Sequence, residues 1–222
     1  MPKKKEPLTK FYNENVIEIG VDEAGRGPMF GRVYSAAVVL PNNDEFNYEL
    51  LKDSKKFSSE KKLLEAYDYV INNALYWSVS WNDEKHIDKM NIRQSTLNCM
   101  HKSIKTIIQQ LKTTHRDILL LIDGNDFKPY MRYNNNQYEQ IDHVCIKGGD
   151  NTYCSIAAAS IIAKVERDKY IYDLCEKNTF LQERYNIKNN KGYGTKKHLD
   201  GIKSYGISEW HRKTYGICRQ YV

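Results

Sequence analysis

The chain has 222 residues, 41 % of them apolar and 28 % charged, with a formal net charge of +6. That length suits one substantial domain, and no run approaches the ~18 consecutive apolar residues of a membrane span. The opening Met1-Pro-Lys-Lys-Lys-Glu lacks the apolar stretch of a secretory signal. Five cysteines, Cys99, Cys145, Cys154, Cys175 and Cys218, include no Cys-x-x-Cys pair. They read as buried free thiols in a reducing compartment, not as disulfides or zinc ligands. The expectation is an intracellular, cytoplasmic protein with no membrane association.

Residues 1–15 read as a flexible leader before a single domain over 16–222. Ile17, Ile19 and Val21 then alternate with Glu18, Gly20 and Asp22, the period of a strand. A glycine-rich turn, Ala24-Gly-Arg-Gly-Pro28, follows. Val33 to Leu40 is a second strand, stopped by Pro41-Asn-Asn. Leu51-Lys-Asp-Ser-Lys-Lys-Phe57 is a loop, and Ser58 is expected to cap a helix carrying Leu63, Leu64, Tyr67, Val70 and Ile71. Leu75 to Trp81, rich in aromatic and β-branched residues, is a third strand.

A long helix follows, striped by Leu97, Met100, Ile104, Ile107, Ile108 and Leu111. Ile118 to Ile122 is apolar at every position, as in a strand buried on both faces. Asn125 to Gln140 is polar, with three consecutive asparagines, and is expected to be an exposed loop. Ile141 to Ile146 is a fifth strand. Ser155-Ile-Ala-Ala-Ala-Ser-Ile-Ile-Ala-Lys-Val opens a helix whose small residues allow close packing on a sheet. From about residue 178 only helical pieces and loops are expected. The order predicts an α/β domain with a mixed five-stranded sheet flanked by helices, and a helical C-terminal part over about 176–222.

Two apolar strands end on carboxylates, at Asp22-Glu23 and at Asp123. If those strands lie side by side and parallel, their carboxyl ends bring the acids together, and ligands in open α/β sheets bind at that edge. Carboxylates so gathered are costly unless a cation sits among them. Two divalent ions doing phosphodiester chemistry would meet that need; ordinary strand-end turn residues are the other reading. Glu23 points to the opposite side of its backbone, and Asp150, after Lys147-Gly-Gly, enters near the start of the Ala-rich helix and completes the set. Asp168 falls on the stripe of Ile161, Val165 and Tyr172 and is expected to form a structural salt bridge. Gly25-Arg26-Gly27, beside the acids, lets a ligand approach the backbone closely. Lys55 and Lys56 lie in a basic loop. Tyr193, between two glycines and near Lys188 and Lys191, can stack on a base or sugar or serve packing. A basic surface around an acidic centre suits a polyanion.

Together, Asp22-Glu-Ala-Gly-Arg-Gly-Pro28, Asp53-Ser-Lys-Lys56, Asp123-Gly-Asn125, Lys147 to Asp150, Ile156 to Asp168, Lys191-Gly-Tyr-Gly-Thr195 and His211-Arg212 resemble the type 2 ribonucleases H, specifically the ribonuclease HII family. The segments run in the family's order from about residue 16 to 216. The resemblance implies a ribonuclease H-like fold. It implies endonucleolytic cleavage of the RNA strand of RNA/DNA hybrids, including 5′ to a single ribonucleotide embedded in a DNA duplex, leaving a 3′-hydroxyl and a 5′-phosphate. It implies a two-metal site of Mg²⁺ or Mn²⁺ held by Asp22, Glu23, Asp123 and Asp150, the Gly25-Arg26-Gly27 backbone at the ribose 2′-hydroxyl, and Tyr193 stacked on the neighbouring deoxyribose. A monomer is expected. Lys55, Lys56 and Lys164 are candidate phosphate contacts, which would position a duplex without reading its sequence.

The chain departs from the family pattern in three places. Two glycines precede Asp150 where one is expected, Met-Phe-Gly-Arg-Val follows Pro28 in place of a small apolar run, and Tyr215 stands where phenylalanine is usual. Two rival functions are a ribonuclease HIII-like hybrid nuclease without single-ribonucleotide activity and a non-catalytic hybrid-binding protein. Arg26 and the roughly 15 residues before the first strand favour HII over HIII, and four intact acids disfavour loss of catalysis.

Overall fold

β1, Ile17–Ala24, lies at the centre of the molecule. Ile19 and Val21 point into one apolar layer, while Gly20 faces the other and meets the backbone at Ser155. The alternating segment is therefore a strand covered on both sides, with glycine in place of a side chain where a helix comes close. The computed structural model describes residues 7–111, 117–134 and 136–222. The lysine run at the amino terminus lies outside them.

β2 (Val33–Val39) pairs antiparallel with β1, and β3 (Tyr76–Asn82) pairs antiparallel with β2. β4 (Ile118–Asp123) lies parallel to β1, and the last strand of the sheet, Asp142–Ile146, lies parallel to β4. Two short strands precede that last one, β5 (Met131–Asn134) and β6 (Gln137–Gln140), so it is β7. The main sheet is mixed and five-stranded, in the order β3-β2-β1-β4-β7. The register from Ile17 opposite Ile118 to Val21 opposite Ile122 carries the pairing up to Asp22 and Asp123.

Helices α1 (Glu60–Asn73), α2 (Glu84–Met90), α3 (Ile92–Gln110) and α4 (Cys154–Lys177) form the flanking layers. All six apolar stripe residues expected for α3 are buried against β1, β2 and β4. Each such burial is worth ~1.5–3 kcal/mol gross, so the stripe fixes α3 on the sheet. An Ile104→Asp change would place an unpaired carboxylate in that layer and unseat the helix. On the opposite face Ala157, Ala158 and Ala159 of α4 pack with α1 and β2.

Three details differ from the expected elements. Ser59, not Ser58, caps α1, its hydroxyl accepting from Lys62 N at 3.3 Å. The helix α2, capped by Asp83, is too short to show a period and was not anticipated. The stretch expected as an exposed loop carries the β5–β6 hairpin, with Tyr133 opposite Tyr138 and their rings 5.0 Å apart. Both rings are exposed, so no inward face marks the strands in the sequence.

Residues 7–15, read as leader, lie against the domain. Thr9 bridges Tyr153, with Thr9 N donating to Thr152 O at 2.8 Å and Cys154 N to Thr9 O at 3.0 Å. After α4 come α5 (Phe180–Tyr185), α6 (Ile187–Asn190) and α7 (Lys196–Tyr205), with no strand. Leu181, Tyr185, Ile187 and Ile202 gather with Met29 and Phe30 into a second small core. The C-terminal helices are thereby packed on the chain that follows the glycine turn. Four of the five cysteines are buried, Cys145 is exposed, and all five are free. Among the described residues no helix is long and apolar enough to cross a membrane.

Candidate active site

The parallel pairing of β1 and β4 sets Asp22 and Asp123 side by side at the carboxyl edge of the sheet. Asp150 arrives from a 3₁₀ turn, Gly149–Asn151, that leads into α4. Carboxylate oxygens of Asp22, Asp123 and Asp150 all lie within 4.8 Å of one another. The second glycine before Asp150 has a use here: Gly149 N donates to Asp123 Oδ1 at 2.7 Å and fixes that carboxylate. Asn151 Nδ2 donates to Asp150 Oδ1 at 2.8 Å.

Glu23 is adjacent but is not one of the three converging acids. Its Oε1 accepts from Arg26 Nη1 at 3.2 Å, on the α3 side of the strand. A cavity of about 280 Å³ there is lined by Glu23, Arg26, Arg93 and Asp123.

Burial raises the Asp22 carboxyl well above the usual carboxylate range, and the charges of Glu23 and Asp123 raise it further. Glu18 is also raised, mainly by burial. Glu23 is raised by burial, with Arg26 opposing. Asp150 is raised by burial, then by Asp123 and Asp53. Lys55 is the cation nearest the cluster, its Nζ 3.9 Å from Asp150 Oδ2. Burial works to lower its pKa, but Asp53, Asp150, Asp22 and Asp123 outweigh that and raise it. So dense an acid group with one lysine at its rim needs additional positive charge. Its all-oxygen donor set suits a hard divalent cation.

The glycine turn forms the next wall. Gly25 has φ +95°, and a side chain there would strike Arg167. Two buried arginines that the sequence did not single out for this role lie behind the turn, Arg212 bonded to its carbonyls and Arg167 packed against Gly25. Arg212 donates from Nη2 to Gly25 O at 2.6 Å, from Nη1 to Pro28 O at 2.7 Å and Arg26 O at 3.1 Å, and from Nε to Gly31 O at 2.8 Å. Arg167 donates to Lys191 O at 2.9 Å and Arg32 O at 3.3 Å. Burial lowers the pKa of both, that of Arg212 to about 10, so it remains charged at neutral pH. Tyr215, at a position where the family usually has phenylalanine, adds a hydroxyl bond to Arg26 O at 3.0 Å. With the carbonyls of Gly25 and Arg26 turned inward, the planar peptides point the amides of Arg26 and Gly27 outward. Neither amide donates to another group among the described residues.

Tyr193 faces this turn. It is 52 % exposed, and its Cε1 lies 3.2 Å from where a Cβ on Gly27 would sit. Turn, Glu23 and tyrosine enclose a cavity of about 380 Å³, with Lys55, Lys164 and Lys191 on its walls. Lys164 forms the expected ion pair with Asp168, and Lys56 lies 3.8 Å from Asp53. Arg167 falls in register with Ile156, Ser160 and Ala163 on α4, so a basic residue on an apolar stripe was the available signal for it. Nothing in the periodicity marked Arg212.

A mixed sheet whose central parallel pair carries acids at its carboxyl edge defines the ribonuclease H-like class. The structure is similar to the ribonuclease H2 of Pyrococcus horikoshii, with TM-score 0.69, 22 % identity and coverage of 92 % of this chain and 96 % of that one. It is also similar to Bst ribonuclease HIII in complex with Mn²⁺, with TM-score 0.62, 14 % identity and coverage of 86 % and 70 %. The sequence is 40 % identical over 208 residues to the ribonuclease HII of Cytophaga hutchinsonii, covering 94 % of this chain and 93 % of that one. It is 42 % identical over 210 residues to the ribonuclease HII of Parabacteroides distasonis, covering 95 % of each. The family model for ribonuclease HII matches residues 19–218. The chain belongs to the ribonuclease HII family, and is a ribonuclease H, an endoribonuclease acting on RNA/DNA hybrids. That family depends on divalent metal.

Proposed function

We propose that the protein cuts the RNA strand of hybrids and also cuts 5′ to single ribonucleotides embedded in duplex DNA, as a monomer, leaving a 3′-hydroxyl and a 5′-phosphate. The observation that carries this is three converging carboxylates beside a cleft that Glu23, two outward amides and one exposed tyrosine line, with Lys55 common to both. Asp22, Asp123 and Asp150, with Glu23 beside them, would hold two divalent ions, Mg²⁺ or Mn²⁺. Bound there, such ions supply Lewis acidity at the scissile phosphate and a deprotonated water as nucleophile.

The remaining roles belong to the chain's own groups. The Arg26 and Gly27 amides, aimed by Arg212, donate to the ribose 2′-hydroxyl, the group that separates RNA from DNA at one nucleotide. Tyr193 stacks on the neighbouring sugar. Lys55 and Lys164 offer charge to the flanking phosphates, Lys164 while sharing its ammonium with Asp168. Lys56, turned to Asp53 and not on the cleft wall, is a further phosphate contact in this reading. The amides and Tyr193 sit on one short span, which favours reading a single RNA–DNA junction over the HIII-like alternative.

Asp123→Asn separates binding from chemistry. The variant is expected to lose cleavage by at least about 10³-fold while its affinity for a hybrid in chelator changes little. Full activity of the variant would overturn the acid assignment.

A further inference from the structure

His198 and His211 are 0 % and 1 % exposed and face each other, with their Nε2 atoms 3.0 Å apart. Two imidazoles in contact inside a protein need a defined proton arrangement, and the surrounding bonds supply it. Ser208 N donates to His211 Nδ1 at 2.9 Å, so that nitrogen is an acceptor. The neutral His211 ring then carries its proton on Nε2 and donates it to His198 Nε2. An accepting Nε2 places the His198 proton on Nδ1, which lies 2.9 Å from Tyr193 O and donates to it. The chain runs one way, from the Ser208 amide through two rings to the carbonyl of Tyr193.

Burial keeps both rings neutral. It lowers His198, and it lowers His211 to about 3 with the neighbouring ring adding to the effect. Tyr185 and Phe30 close on the His211 ring edge-on, with centroids at 4.9 and 5.1 Å. The proposed reaction uses neither histidine, and neither lines the cleft. What they hold is the backbone of the residue whose ring stands across from Gly27.

We infer that His198 and His211 are positioning residues for Tyr193, fixing its carbonyl so that its ring keeps register with the glycine turn. This rests on the reading of Tyr193 as a contact to the sugar beside the ribonucleotide. The Tyr193 side chain is half exposed and has no hydrogen-bond partner of its own among the described residues. Its aim is therefore set by its backbone. A lone ribonucleotide offers one junction and needs that register, whereas a long hybrid tolerates its loss.

The test compares His198→Asn with His198→Gln. The asparagine amide reaches the place of Nδ1 and can still donate to Tyr193 O. The glutamine amide reaches toward His211 and cannot. The readout is the ratio of kcat/KM on a duplex bearing one ribonucleotide to kcat/KM on a continuous hybrid, measured in one preparation so that any unfolded fraction cancels. His198→Gln is expected to lower this ratio about tenfold, the size of one lost hydrogen bond, and His198→Asn to stay within about twofold of the parent. If both variants move the ratio equally, or neither moves it, while Tyr193→Ala still lowers it, the positioning role is wrong. If Tyr193→Ala itself leaves the ratio unchanged, the sugar-contact reading fails and takes the positioning role with it.

Discussion

Asp22→Asn should make the metal-free protein more stable while destroying its activity. Asp22 is 4 % exposed, and its carboxylate lies within 4.8 Å of those of Asp123 and Asp150. At that separation and an effective dielectric of about 20, two unit charges repel by about 3 kcal/mol. Lys55 offsets part of this, and the parent relieves more of it by taking up a proton. The asparagine is therefore expected to gain about 1–3 kcal/mol, a rise in Tm of roughly 3–10 °C for a domain of this size. The pH dependence has a defined sign. The folded-state pKa of Asp22 is raised above its unfolded value, so the folded state binds more protons and the parent loses stability as pH rises from about 4 through the raised pKa. The gain from Asp22→Asn should thus be largest at neutral pH and shrink on acidification. Thermal melts in chelator across pH 4.5–8, of the order of the carboxylate range and above, measure it. Magnesium should then raise the Tm of the parent more than that of the variant, since an ion bound only to the folded state stabilises it. A variant that melts at or below the parent in chelator at neutral pH would refute the picture of a strained acid cluster.

Other outcomes follow from single contacts. Tyr193→Ala should reduce cleavage at one embedded ribonucleotide by about tenfold more than cleavage of a long hybrid, a stacked aromatic being worth ~1–3 kcal/mol; equal losses would speak against the junction role. Tyr215→Phe removes one bond to Arg26 O but leaves Arg212 in place, so kcat/KM at a lone ribonucleotide should fall about two- to fivefold with little change in Tm. Gly20→Ala drives a methyl group into the backbone at Ser155 and should cost ~1–3 kcal/mol or more, seen as a lower denaturant midpoint; an unchanged midpoint would mean that α4 does not pack on β1 as described.

The sequence was most legible where one physical demand dominated. Ile118–Ile122 had to be a covered strand, and the stripe of α3 had to face the sheet; both do. The convergence of the acids was legible from two apolar strands ending on carboxylates, with turn residues as the competing reading until the family motifs were added. The β5–β6 hairpin was hidden because neither face of it is buried, so polar residues and tyrosines alternate without a hydrophobic side to reveal the period. Ser58 and Ser59 are chemically equal as caps, and only the backbone decides between them. The support behind the site was hidden for a different reason. Arg212, present in the sequence only as part of the family's His-Arg pair, is a surface residue by type, and its burial depends on carbonyls contributed by a turn about 185 residues away. His198 and His211 are buried against each other, Tyr193 O and Ser208. That pairing is a property of the folded chain and leaves no local pattern.

The most direct measurement is digestion of a DNA duplex containing one ribonucleotide, with the parent protein in Mg²⁺ or Mn²⁺ and again in excess chelator. A single cut 5′ to the ribonucleotide, present with ion, absent with chelator and restored by adding ion back, is the expected result. Cleavage that persists undiminished in chelator would contradict the role given to Asp22, Glu23, Asp123 and Asp150.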